Sequence, residues 1–147
     1  MTVPSLPRLI ASGGGCGFAP IAPGTVASAV ALVAGALLLH VAPALVPAAA
    51  LIAALAGLWS ISAAHVAGDP GWVVIDEVAG QWITLLFCPA DWRHGLIALI
   101  LFRLFDITKP FPVRRLESLP EGWGIVFDDV AAGLYALGVA SLLRIWI

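Results

Sequence analysis

Apolar positions in this chain fall in long unbroken runs, unlike the alternating or one-faced patterns of soluble elements. Val26 to Val46 gives 21 residues whose only titratable side chain is His40, and Ala48 to Val66 gives 19. Each meets the roughly 20 residues a helix needs to cross a bilayer. Pro43 and Pro47 mark the turn between them, because proline removes an amide donor and disfavours continued helix. A third run, Gly71 to Pro89, carries Asp76 and Glu77 near its start. A fourth, Gly95 to Phe105, is short and spans only marginally even with Arg103 and Asp106 added. The last, Val130 to Ile147, is apolar apart from Arg144, which can snorkel to an interface. The pattern predicts an all-α fold, a compact polytopic membrane bundle with about four to five membrane-embedded helices, in one domain over residues 1–147. Residues 71–105 read either as two crossings or as a shallow re-entrant hairpin.

Composition agrees with a membrane setting. Apolar residues make up 61% and charged residues 11%, with a mean hydropathy of +1.04, against about 45–50% and about 25% in ordinary globular chains. A soluble domain this small could not hide so much apolar surface. The net charge of −2 offers no basic stripe of the kind nucleic acid demands. Cys16 and Cys88 lack any metal-type or CxxC spacing and read as small buried apolar residues. The N-terminus makes no convincing signal peptide, since glycines interrupt it before an apolar core forms, and the chain is expected to stay in the membrane.

Charge placement then changes the picture. The 60 residues between Arg8 and Asp69 contain no Asp, Glu, Lys or Arg. If the N-terminus is cytoplasmic and all five runs cross, Arg8, Arg103, Lys109, Arg114 and Arg115 lie inside, with Arg93 and Arg144 outside. Five against two favours that orientation. It brings segments 12–25, 67–77 and 106–129 to one membrane face.

Four constellations sit on that face. Asp76-Glu77 opens an apolar helix and suits either the helix dipole or a hard cation such as Mg²⁺, which takes oxygen ligands. Gly80, four residues on, leaves room for a close neighbour. Arg103 and Asp106 share a helical face ahead of Lys109-Pro110, where proline breaks the helix. They read as an interfacial ion pair or as groups facing an anionic headgroup. Asp128-Asp129 precedes the last apolar run, where N-capping competes with metal binding. Five carboxylates this close repel unless a metal neutralises them. The glycine run Gly13 to Gly17 leads into Pro23-Gly24-Thr25 without the Lys of a nucleotide P-loop. It can still form a phosphate-binding helix start, with Gly24 freeing the backbone and Thr25 offering a hydroxyl. His40 reads as structural; His65, close to the acidic side, reads more readily as structural than as a supporting neighbour of the acids, and no serine or cysteine nucleophile pattern is visible.

Four blocks together resemble the phosphatidylglycerophosphatase A family: Pro20-x-x-Pro23-Gly24-Thr25-x-x-Ser28, Ile75-Asp76-Glu77-Val78-x-Gly80-x-Trp82-Ile83, Phe102-Arg103-x-Phe105-Asp106-x-x-Lys109-Pro110-x-Pro112 and Gly122-x-Gly124-Ile125-x-x-Asp128-Asp129-x-x-Ala132-Gly133. In order and spacing they extend over residues 20–133. Ala27 stands where the family usually has glycine, and Glu117 where aspartate is common. The resemblance implies a Mg²⁺-dependent lipid phosphatase that converts phosphatidylglycerophosphate to phosphatidylglycerol and phosphate. Its place would be the cytoplasmic face of the bacterial inner membrane.

The expected site follows. Asp76, Glu77, Asp128 and Asp129 would hold the metal, and Arg103 and Lys109 would neutralise phosphoryl charge. Gly24, Thr25 and Ser28 would contact the phosphate. Asp106 is expected as ligand, base or nucleophile. Competing classes are a small carrier, whose charges belong near the midplane, and a phosphotransferase of the CDP-alcohol type, whose Asp-Gly-x-x-Ala-Arg pattern is absent.

Overall fold

In lipid, burial of apolar surface does not drive helices together, so they associate where small residues let backbones approach. This chain is built on that rule. The computed structural model describes residues 4–143, all helix, turn and loop with no strand among them. Helix α2 (Pro23–Val41) turns Ala27, Ala31 and Gly35 inward, four residues apart, and leaves Val30, Val33 and Leu37 exposed. Helix α3 (Val46–Ala63) buries Ala50, Ala53, Gly57 and Ser60 and exposes Leu51, Ile52 and Leu55. Helix α7 (Gly122–Leu142) buries Ala132, Gly133, Ala136 and Ala140. Large side chains thus face outward and small ones line the contacts.

The helix limits differ from the apolar runs at several points. The first run is helical from Pro23, a proline in the first turn where its missing amide costs nothing. A short 3₁₀ turn, Pro43–Leu45, makes the expected reversal, and Pro47 sits harmlessly in the first turn of α3. The last helix begins eight residues before the expected Val130, at Gly122, so Asp128 and Asp129 occupy its second turn. They therefore do not cap it, which removes the capping reading. Helix α5 (Trp92–Thr108) is longer than its run, because Asp91 caps it, accepting from the amides of Arg93 (3.0 Å) and His94 (3.1 Å). It ends at Lys109, whose left-handed backbone (φ 43°) precedes Pro110. Helices α1 (Leu6–Ala11) and α6 (Val113–Leu116) are short flanking pieces. Arg144 lies outside the described residues.

The largest departure is the third run. Only Ile75–Thr84 is helical there, and this α4 spans about 15 Å at 1.5 Å per residue, half a bilayer core. It sits at the centre, packed by α2, α3, α5 and α7. Contact with α7 is made by two glycines: a Cβ on Gly133 would lie 2.5 Å from the Gly80 carbonyl oxygen, and one on Gly80 would lie 2.6 Å from that of Asp129. Thr84 donates to the Gly80 carbonyl (3.0 Å), and the Trp82 indole donates to the Ala31 carbonyl (2.8 Å), tying α4 to α2. Beyond α4 the chain continues as irregular backbone, and Leu85 and Cys88 cluster with Leu39 and Val46 at the far end of the α2–α3 hairpin. Residues 71–105 therefore reach the level of the α2–α3 turn before α5 returns. Three helical stretches, Pro23–Val41, Pro43–Ala63 and Gly122–Leu142, are long and apolar enough to cross a membrane. Alternation of direction puts the start of α2, the start of α4, the end of α5 and the start of α7 at one end of the bundle.

Candidate active site

At that end, a cleft of about 280 Å³ is lined by Ala22 to Thr25, Asp69, Gly71, Val73 and the charged groups of α4, α5 and α7. Each wall has a local cause. Gly24 lets α2 approach α4, since a Cβ there would overlap the Glu77 Oε1. The first-turn amides of α2 have no carbonyl partner within the helix and face the cleft end with the positive pole of its dipole. Gly124 lets α7 pass close beneath the Glu117 carbonyl, 2.6 Å from where a Cβ would stand.

The acids form two overlapping groups. Asp76, Asp128 and Asp129 each bring a carboxylate oxygen within 4.8 Å of the others, and so do Glu77, Asp106 and Asp129. Asp129 belongs to both. Asp76, Asp128 and Asp129 are all buried. Asp76 Oδ1, Glu77 Oε2 and Asp129 Oδ2 are sealed from solvent and have no hydrogen-bond partner among the described residues. Like charges at about 4.8 Å repel by about 3–4 kcal/mol per pair at an effective dielectric near 20. Six acids and two bases line the cleft, a formal excess of four negative charges. Buried orphan oxygens in an all-oxygen donor set fit a hard divalent cation.

The two bases are held in place by acids. Lys109 Nζ donates to Asp128 Oδ2 (2.6 Å) and Glu117 Oε1 (3.1 Å). Burial alone would depress the Lys109 ammonium, but the hydrogen bonds and charges of Asp128 and Glu117 outweigh it and hold it above its ordinary value. Arg103 pairs with Asp106 on its own helix and reaches Glu77 at 3.8 Å, bridging α5 to α4. Two cations and two unpaired amide donors thus border a pit of carboxylates, a charge pattern that receives a phosphoryl group beside a metal.

Of the residues expected from sequence, the cleft gathers Gly24, Thr25, Asp76, Glu77, Arg103, Asp106, Lys109, Asp128 and Asp129. Ser28 stands elsewhere: it is fully buried and its hydroxyl donates to the Gly24 carbonyl at 2.8 Å, within its own helix. The glycine run also lies away from the cleft, with Gly13 and Gly14 beside an apolar groove. Nor does His65 line it. Sequence reasoning passed over Asp69, which borders both the cleft and a neighbouring hollow with Glu117 and Glu121. Its one signal was that it ends the charge-free run.

The family model described as phosphatidylglycerophosphatase A matches residues 9–144. A Bacteroides thetaiotaomicron protein, whose name proposes a phosphatidylinositol-3-phosphatase, is 38% identical over 97% of this chain and 95% of its own length. Phosphatidylglycerophosphatase A of Escherichia coli is 33% identical over 90% of this chain and 80% of its own. The Haemophilus influenzae protein of that name is 45% identical over 53% of this chain and 49% of its own. No solved structure gives a significant match.

Proposed function

The chain belongs to the phosphatidylglycerophosphatase A family and is a membrane lipid phosphatase; from that premise we propose that it hydrolyses phosphatidylglycerophosphate to phosphatidylglycerol and phosphate with Mg²⁺ as cofactor. The observation that carries the cofactor is the set of buried carboxylate oxygens on Asp76, Glu77 and Asp129 that have no partner. Asp76, Glu77, Asp128 and Asp129 would hold the cation, with Asp106 at the edge of the second group. When bound, Mg²⁺ supplies charge neutralisation and Lewis acidity at the phosphoryl oxygens.

The chain's own residues do the rest. Lys109, locked by Asp128 and Glu117, presents a fixed positive charge to the phosphoryl group. Arg103 offers a second, anchored through Asp106. Fixed charges of this kind need no reorganisation when negative charge shifts toward the leaving oxygen. The start of α2 adds the amides of Gly24 and Thr25 and the exposed Thr25 hydroxyl. In the reaction, water forms the new P–O bond, the P–O bond to glycerol breaks, and the glycerol oxygen takes a proton. Asp106, which borders the cleft and pairs with Arg103, would receive the proton of the attacking water. The acyl chains stay in the bilayer while the headgroup enters the cleft. The single domain covers residues 1–147, and the lysine and arginine distribution supports a cytoplasmic cleft in the bacterial inner membrane.

Phosphate release from phosphatidylglycerophosphate in detergent, with Mg²⁺ and after EDTA, tests the proposal for wild type and Asp129→Asn. Activity only in wild type with Mg²⁺ is expected. Activity that survives EDTA would exclude the metal, and faster release from phosphatidylinositol 3-phosphate would reassign the substrate to the kind named for the Bacteroides relative.

A further inference from the structure

A second, apolar groove of about 330 Å³ lies on a neighbouring face of α2 and α4 and reaches further along both helices than the cleft does. The two share their walls. On α2, Gly24 and Thr25 border the cleft and Ala27, Val30, Ala31 and Ala34 border the groove. On α4, Asp76 and Glu77 border the cleft while Ile75, Val78 and Trp82 border the groove. Between Ala27 and Ala34 the groove descends about 10 Å, a third of the bilayer's hydrocarbon core. Its floor is fixed by the Trp82 indole bonded to the Ala31 carbonyl. The glycine run forms its outer wall: Gly13 and Gly14 carry φ of 58° and 70°, and a Cβ on Gly13 would press on Val74 at 3.1 Å.

Resting on the phosphatase reading above, we infer that this groove seats the upper part of one acyl chain of the substrate and so sets the height of the phosphomonoester in the cleft. A phospholipid is charged at one end and apolar at the other, and cleft and groove repeat that order along the same two helices. A larger apolar groove of about 600 Å³ lies between α2 and α5. It runs along α2 from Leu32 to His40 against Ala90 to Leu96, at the start of α5 and so away from the cleft, which that helix meets at its other end. Inside a bilayer the groove gains little over surrounding lipid tails; its contribution is positioning.

Ala34 is exposed, so Ala34→Phe can fill the groove without entering the helix contacts. With dioleoyl phosphatidylglycerophosphate its kcat/KM falls about tenfold or more, the scale expected when a reacting group is misplaced by a fraction of an ångström. With the deacylated headgroup, which has no chain to seat, it matches wild type. Equal loss on both substrates, or loss on neither, overturns the inference. A second readout needs no turnover. Cys16 lines the groove and Cys88 is buried, so a lipid-soluble maleimide should alkylate Cys16 more slowly in dioleoyl phosphatidylglycerophosphate than in dioleoyl phosphatidylcholine. Equal rates in the two lipids also overturn it. If wild type releases no phosphate from either substrate, the proposed reaction fails, whereas Cys16 protection still reports whether the lipid sits there.

Discussion

Gly133→Ala offers the sharpest test of how the acids are held together, because Gly138→Ala on the same helix supplies its own control. A Cβ at Gly138 meets nothing within 4 Å, while one at Gly133 lies 2.5 Å from the Gly80 carbonyl oxygen and 3.1 Å from its Cα. These are backbone atoms of α4, which cannot swing aside as a side chain would. Restoring ordinary contact at 3.4 Å needs the helices to part by roughly 0.9 Å. Alanine improves helix propensity by about 1 kcal/mol at either position, so the difference between the two variants isolates the overlap, about 1–3 kcal/mol for overpacking. The same parting moves Asp129, one turn up α7, from Asp76 on α4. A displacement near 1 Å at a reacting centre costs about a hundredfold in rate. Thermal unfolding in detergent, followed by tryptophan fluorescence, and phosphate release below both midpoints would measure the two effects. Equal stability and activity in the two variants would refute the view that glycine contact spaces the acids.

Lys109→Met should leave Asp128 buried without its partner and lower kcat by about a hundredfold to a thousandfold, with a smaller rise in KM, as for loss of one fixed charge at a developing anion. Asp91→Asn should lower the unfolding midpoint while leaving kcat unchanged, because Asp91 caps α5 at the end away from the cleft. The amide and side chain of His94, then the amide of Arg93, hold the Asp91 carboxyl below its ordinary value. Its folded pKa is thus depressed, so its stabilisation is present above about pH 4 and fades as pH falls through the folded value; the variant should lose that acid dependence. Ser118→Cys, exposed beyond α6 at the cleft end, should resist an impermeant thiol reagent in intact cells, and labelling would reverse the proposed orientation.

Much of the site was legible because a bilayer tolerates charge at few places. Asp76, Glu77, Asp106, Lys109, Asp128 and Asp129 stood out against apolar neighbours, and alternating crossings then had to bring them to one end. The limits of α4 were not legible. Val73, Val74, Leu85 and Cys88 are buried in irregular backbone, and hydropathy cannot tell such backbone from helix. Gly122 and Gly124 read as loop residues for the same reason, although they start a helix that packs beneath Glu117 and Leu119. Asp69, between Gly68 and Pro70, stood out only as the end of the charge-free run. Ser28 looked like a phosphate contact by motif position, but its spacing from Gly24 is that of a hydroxyl bonding its own helix.

The ten-residue α4 also bears on how the protein is made. Too short to cross alone and headed by two acids, it is a poor candidate for independent insertion. During synthesis α2 and α3 precede it, but α5 and α7 do not yet exist, and α7 supplies the glycine seam and two of the acids. Until α7 arrives, α4 has only half of its walls and its carboxylates have no site to complete. Assembly of the cleft is therefore a late event, coupled to delivery of the final helix, and a nascent chain stopped before Asp128 lacks two of the acids that line it.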